Sequence, residues 1–333
     1  MIKKLDYSYY DIIRLENLLR AWQNFLRGKR QKSDVMTFQL RLIDSISELQ
    51  EELANKTYVH GAYKQFNISD PRPRVIHKAT VRDRLIHHLL YQELYPYFDR
   101  YFVFDSYSCR LGKGLHKALY RFRNMARKVS RNNTRTCWVL KCDIRKFFAS
   151  IDHIILQATL EKYIEDTDIL WLLGRVITSF HTEGMPNVGL PLGNLTSQLL
   201  VNIYMNEFDR FVKNDLKARW YVRYADDCLL LDNDRASLEK LLPKLRSFLH
   251  DDLRLSLHPL KTKIQTLASG VDFLGWVHFP HHAVLRTTTK RRMLKNVRHN
   301  TSNATLASYL GMLRHGNAFL LQNKIESKAQ QLD

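Results

Sequence analysis

The chain has 333 residues and a formal net charge of +19, from 52 Lys and Arg against 33 Asp and Glu. Its 45% apolar content is ordinary for a globular protein long enough to bury several subdomains, and the charge excess favours a polyanionic partner held by salt-sensitive contacts. No run approaches the ~20 consecutive apolar residues that a membrane-spanning helix needs, and Met1-Ile2-Lys3-Lys4-Leu5-Asp6 lacks a signal-peptide core, so nucleic acid is preferred over a membrane surface.

Residues 9 to 27 place Ile12, Ile13, Leu15, Leu18, Leu19, Trp22, Phe25 and Leu26 at helical spacing. Residues 37 to 54 repeat the pattern with Leu40, Ile43, Ile46, Leu49 and Leu53. The short basic link Gly28-Lys29-Arg30-Gln31-Lys32-Ser33 makes these an antiparallel helix pair whose apolar faces are core. Strand-like pieces over 58 to 79 surround Asp70-Pro71-Arg72-Pro73-Arg74, and the segment from Asp83 to Tyr91 opens a helix. Between 110 and 135 stand Arg110, Lys113, Lys117, Arg121, Arg123, Arg127, Lys128, Arg131 and Arg135, with no acidic residue among them. Exposed helices commonly interleave signs, so a basic run without counter-charge points to phosphate. Asn132-Asn133 ends that helix.

Trp138-Val139-Leu140-Lys141-Cys142-Asp143-Ile144 is an apolar strand ending in an aspartate. A second such strand carries Tyr224-Ala225-Asp226-Asp227 inside the apolar run from Trp220 to Leu231. Adjacent carboxylates repel, and burying them is costly unless they are protonated, hydrogen-bonded or metal-bound. Hard carboxylate oxygens suit Mg²⁺, which takes one or two protein carboxylates and fills its shell with waters and phosphate oxygens. Were neighbouring strands to bring the two ends together, Asp143, Asp226 and Asp227 could hold two metals about 3.5–4 Å apart, the arrangement used for in-line phosphoryl transfer. The Ile144 carbonyl is a further candidate ligand. Residues 199 to 213 and Asp234 to His250 read as amphipathic helices, and after Asp272 no acid appears until Glu326. Cys109, Cys137, Cys142 and Cys228 form no CxxC pair and the 14 histidines no HExxH, which leaves zinc ribbons, redox motifs and zincin chemistry unsupported.

These motifs resemble those of reverse transcriptases. Asp143 with Phe147-Phe148 resembles the first catalytic motif, and Gly189-Leu190-Pro191-Leu192-Gly193-Asn194-Leu195-Thr196-Ser197-Gln198 the template- and nucleotide-positioning motif. Tyr224 to Asp227 resembles the YxDD motif, and Phe273-Leu274-Gly275-Trp276 the primer-grip turn. They stand in family order across roughly residues 60 to 280. The resemblance implies an α+β right-hand polymerase fold with fingers, a β-α-β-β-α palm and a small helical thumb. The expected divisions are an N-terminal helical segment at 1–57, fingers at 58–136, palm at 137–270, primer grip at 271–285 and thumb at 286–333. No RNase H, integrase or endonuclease domain is expected.

The resemblance also implies site roles. Arg74 would contact the incoming deoxynucleoside triphosphate, with Lys64 or Arg72 assisting. Phe148 would be the steric gate against a 2′ hydroxyl, and Leu192 with Gly193 would approach the nascent base pair. Lys261 or Lys263 would protonate the leaving pyrophosphate. Ser106 to Gly114, with Arg110 and Lys113, resembles a template-tracking segment; Arg121, Arg127, Arg291 and Arg292 extend the basic surface. The cofactor would be two Mg²⁺ ions, with Mn²⁺ able to substitute, and the nucleic-acid partners a template RNA and the RNA/cDNA duplex.

Leu192 and Gln198 stand where most reverse transcriptases have glutamine and proline. That departure resembles the enzymes of diversity-generating retroelements. It implies a cytoplasmic, bacterial or phage-encoded enzyme that is error-prone at template adenines and works with a basic pentameric accessory variability protein. Two alternatives are a retron or phage-defence reverse transcriptase, and a basic RNA-binding scaffold with a relic polymerase fold.

Overall fold

The computed structural model describes residues 3–69, 73–299 and 302–330; Arg72 lies outside them. Four helices come first: α1 (Tyr9–Ile12), α2 (Leu15–Phe25), α3 (Ser33–Leu40) and α4 (Leu42–Ala54). The hairpin β1 (Lys64–Ile68) and β2 (Arg74–Lys78) precedes α5 (Val81–Asp99) and α6 (Leu115–Val129). β3 (Trp138–Asp143) leads through a 3₁₀ turn at Phe147–Ser150 to α7 (His153–Glu161), α8 (Thr167–Thr178) and α9 (Leu195–Arg210). Then come β4 (Tyr221–Tyr224), β5 (Asp227–Asp232), α10 (Arg235–Asp251) and β6 (Lys263–Thr266). The chain continues through β7 (Val271–Phe273), β8 (Trp276–His278), β9 (Ala283–Leu285), α11 (Thr287–His299), α12 (Asn303–Leu313) and α13 (Phe319–Gln330). Helix and antiparallel sheet are mixed, as the α+β expectation requires.

Two compact units result. The first gathers Met1–Phe104, Ile144–Phe211 and Arg246–Ser256, and the second Asp105–Asp143, Val212–Leu245 and Leu257–Asp333.

In the first unit α2 packs on α4 and α5, burying Leu18, Trp22 and Phe25. The expected helix pair is broken in both members. Residues 13–14 separate α1 from α2, and Arg41, at φ −120°, separates α3 from α4. The break changes the helical phase, which leaves Leu40 and Ile43 exposed while Ile46, Leu49 and Leu53 stay buried. Helix α5 starts where Thr80 accepts the Asp83 amide, a cap worth ~1 kcal/mol. Asp83 itself is fully buried, and it accepts from Tyr58, Gly61 and Thr80. Helices α7 and α5 pack on α9.

In the second unit the sheet order is β4-β5-β3-β6, antiparallel throughout. β3 is covered on both faces, and its residues from Val139 to Asp143 are all buried, which accounts for its near-continuous apolar run. One face carries α6, whose Leu119, Phe122, Met125 and Val129 join Val139, Leu229 and Leu231 in a core shared with β7, β8 and β9. Cys142 and Cys228 lie opposite one another across β3 and β5 as buried free thiols; Cys137 is also buried and Cys109 is exposed. At the C-terminal end Met293, Val297, Leu313 and Ile325 close the core, and Gly316 abuts the ring of buried Trp276.

Candidate active site

The carboxylates lie at adjoining strand ends of the second unit. Asp143 is the last residue of β3 and pairs in register with Asp227, the first of β5. Asp226 occupies the two-residue turn between β4 and β5, beside Ala225. Ala225 has φ +53°, a left-handed conformation that costs a side-chain-bearing residue energy and fixes the direction of the turn. Burial and the neighbouring carboxylates of Asp227 and Asp143 push the Asp226 carboxyl up to about 6. Asp227 is raised mainly by burial, with Lys141 acting against the shift.

Two lysines, Lys261 and Lys141, face this group. Lys261 donates to both oxygens of Asp143, at 3.0 and 3.1 Å. Lys263 lies on β6 opposite Lys141 and is exposed. Lys141 is the residue that sequence reasoning missed. It is 8% exposed, donates to the Asp272 carbonyl at 2.7 Å, and its Nζ lies 3.6 Å from Asp227 Oδ1. That Oδ1 is buried and has no hydrogen-bond partner among the described residues. The available signal was a lone lysine two positions before an aspartate in an apolar strand, hence on the same face, where a buried ammonium needs an acidic partner.

Among the described residues no group of three or more His, Cys, Asp or Glu is arranged to hold a metal ion. Lys261 engages both oxygens of Asp143, and Lys141 lies 3.6 Å from Asp227. The donor chemistry still fits Mg²⁺. The oxygens are hard, one is orphaned and buried, and the ion needs only one or two protein carboxylates beside waters and phosphate oxygens.

The first unit holds the nucleotide candidates. The Phe148 carbonyl accepts from the Leu190 amide at 2.8 Å, and the Ile151 carbonyl from the Gly189 amide at 2.7 Å. The Leu192 carbonyl accepts from the His77 amide at 3.0 Å, which ties the glycine motif to β2, the strand that Arg74 begins. Arg74 is exposed, while Phe148 and Leu192 are half-buried. Gly193 has φ +109°, and an added Cβ would stand 2.8 Å from Ile76, so glycine is required for this approach. Ile144 is buried.

In the segment expected to form the primer grip, Leu274 and Gly275, both at positive φ, form the two-residue turn between β7 and β8 that suits the twist of a hairpin. Phe273 and Trp276 are buried, so only the turn itself can face a nucleic acid.

Of the basic candidates, Arg121 is ion-paired with Asp105 at 2.7 Å. The acid missing from the local sequence comes from upstream, and the guanidinium is committed to holding the start of its unit. Arg110 donates to the Ser106 carbonyl, and Lys113 lies over the Tyr107 ring. Arg127 and Arg291 are exposed and Arg292 is half-buried.

Residues 64–278 match the family described as reverse transcriptase (RNA-dependent DNA polymerase). The chain is 26% identical over 275 residues to protein YkfC of Escherichia coli K12, covering 71% of this chain and 72% of that one. It is 25% identical over 225 residues to the group II intron-encoded protein LtrA of Lactococcus lactis subsp. cremoris, but spans 34% of LtrA's length. Among solved structures, apo telomerase of Candida tropicalis superposes with a TM-score of 0.51 at 12% identity, over 72% of this chain and 59% of that one, which supports the fold.

Proposed function

The chain belongs to the reverse transcriptase family, the RNA-dependent DNA polymerases, and from that premise we propose that it copies a structured template RNA into cDNA at Asp143, Asp226 and Asp227. The observation that carries this reading is the register of β3 against β5, which sets Asp143 opposite Asp227 with Asp226 in the adjoining turn. Partly buried carboxylates whose acidity is suppressed by burial and by one another call for cationic charge.

These three aspartates would hold two Mg²⁺ or Mn²⁺ ions, with the Ile144 carbonyl as a further donor. When bound, such ions activate the primer 3′ hydroxyl and neutralise charge on the triphosphate. Lys261, at the Asp143 carboxylate, gives its proton to the leaving pyrophosphate. Arg74 receives the triphosphate, and the ring of Phe148 excludes the 2′ hydroxyl of a ribonucleotide. Gly193 lets the backbone approach the base pair, and the Leu274–Gly275 turn holds the primer end. Arg110, Lys113, Arg127, Arg291 and Arg292 hold phosphates of the template and the RNA/cDNA duplex, while Arg121 keeps Asp105 neutralised.

Within the family we assign the chain to the diversity-generating type, on Leu192 and Gln198. Glutamine at 192 could hydrogen-bond near the nascent pair, whereas leucine supplies volume without that bond. A looser pocket admits mismatches, and each ~1.4 kcal/mol of lost discrimination is about tenfold in error. A basic pentameric accessory protein and a cytoplasmic, bacterial or phage-encoded setting belong to the same proposal. Similarity to LtrA favours a second reading, an intron-type enzyme. The test is sequencing of cDNA made from a defined template. The diversity-generating reading predicts errors concentrated opposite template adenine and reduced by Leu192→Gln. Low, base-independent error in the wild type would contradict it and favour the intron or retron readings.

A further inference from the structure

The ends of β3 and β5 opposite the carboxylates carry a second feature. Trp138 pairs with Asp232 there, five residues from the Asp143–Asp227 pair, or about 17 Å at ~3.4 Å per residue. Beside this end lies a cleft of about 620 Å³ within the second unit. Lys128, Arg131, Arg135, Lys217, Arg219 and Lys240 line it, against the single acid Asp232. All six cations are exposed, and none forms an ion pair among the described residues. The floor is apolar, from Leu216, Leu230 and Leu241. Half-buried Trp220 forms part of the wall, with the Arg219 guanidinium 4.7 Å from its ring centre.

The cations come from three separate stretches of chain: the end of α6 and the loop after it, the segment before β4, and α10. The loop after α6 is bent sharply by Arg131, Asn132 and Asn133, all at positive φ, and Lys217 is also at positive φ. Such a backbone costs energy at four side-chain-bearing positions. Like charges gathered this way repel unless an anion joins them. A concave cleft with an aromatic wall suits an unpaired nucleotide, its base against the indole and its phosphates among the cations. A basic protein partner would be repelled.

We propose that this cleft is a second RNA site, which grips a single-stranded or looped segment of the template RNA away from the catalytic carboxylates. The inference rests on the template-copying reading above, since it anchors the same RNA outside the catalytic cleft. Its consequence is retention: the enzyme would keep hold of a long structured RNA while the copied portion moves through the catalytic site.

The experiment uses the full chain with Lys217→Glu and Lys240→Glu combined, both exposed positions outside the polymerase machinery described above. Affinity for a long structured RNA is measured across a salt series, alongside extension of a short pre-annealed primer–template. The expected result is at least tenfold weaker RNA binding, a salt slope shallower by about 0.7 for each phosphate that is no longer neutralised, and unchanged extension of the short duplex. Ultraviolet crosslinking of wild type to the same RNA should join a base to the peptide holding Trp220. Unchanged affinity and slope, or no crosslink at that peptide, would overturn the second site. Failure of the wild type to extend the short duplex would instead overturn the polymerase reading, since binding and crosslinking are read independently of synthesis.

Discussion

Asp226 sits beside a strained alanine and next to an opposing pair of aspartates; Lys261 and Lys141 lie against that pair, and the buried Arg223 donates to the Ala225 carbonyl at 3.2 Å. The two lysines of the His258–Lys263 segment are not equivalent. Lys261 lies on Asp143, whereas Lys263 is exposed on β6. Lys261→Ala should lower kcat by about 10²-fold or more if it is the general acid, and Lys263→Ala should leave it near wild type. Equal losses in the two variants' steady-state kcat would contradict the assignment. Phe148 is half-buried, with its carbonyl fixed by the Leu190 amide and its ring edge-on to that of Phe147, 5.5 Å between centroids. Phe148→Ala should raise ribonucleotide relative to deoxynucleotide incorporation, and an unmoved ratio would place the gate elsewhere. The aspartates were legible in the sequence because adjacent charge interrupting apolar strands is costly. Lys141 was not, since a single lysine in a strand does not announce the carbonyl of Asp272 that receives it.

At the scale of elements, turns and helix breaks decided what could be read. The β3 and β4–β5 strands were legible from apolar runs flanking carboxylates. The N-terminal helices were only partly so, because the 3.6-residue period continues through Arg41 while the backbone does not. Arg121 looked free because its partner, Asp105, lies sixteen residues upstream. The C-terminal segment was read as a small helical thumb with a basic surface; its packing on the core is closest at Gly316, in the loop between α12 and α13. At Gly316 an added Cβ would fall 2.0 Å from the ring of Trp276, which is buried and follows directly on the Leu274–Gly275 turn. Gly316→Ala should therefore destabilise the second unit by about 1–3 kcal/mol through overpacking. The measurement is thermal unfolding followed by tryptophan fluorescence, and an unchanged midpoint would show that Trp276 can move aside at no cost.

For the whole molecule, a net charge of +19 points to a polyanionic partner but does not say where it would lie. The basic run was legible as a stretch of sequence; that Lys128, Arg131 and Arg135 share a cleft with Lys217 and Lys240 was not, because strand pairing and α10 bring them together. Among the described residues no helix is long and apolar enough to cross a membrane. The central claim, RNA-templated DNA synthesis at the three aspartates, is tested most directly by primer extension on an RNA template with Mg²⁺. Wild type is compared with Asp143→Ala and Asp226→Ala, and RNA binding is measured on the same preparations. Extension by the wild type, its loss in both variants and retained RNA binding are the predicted result; undiminished DNA synthesis by either variant would contradict it.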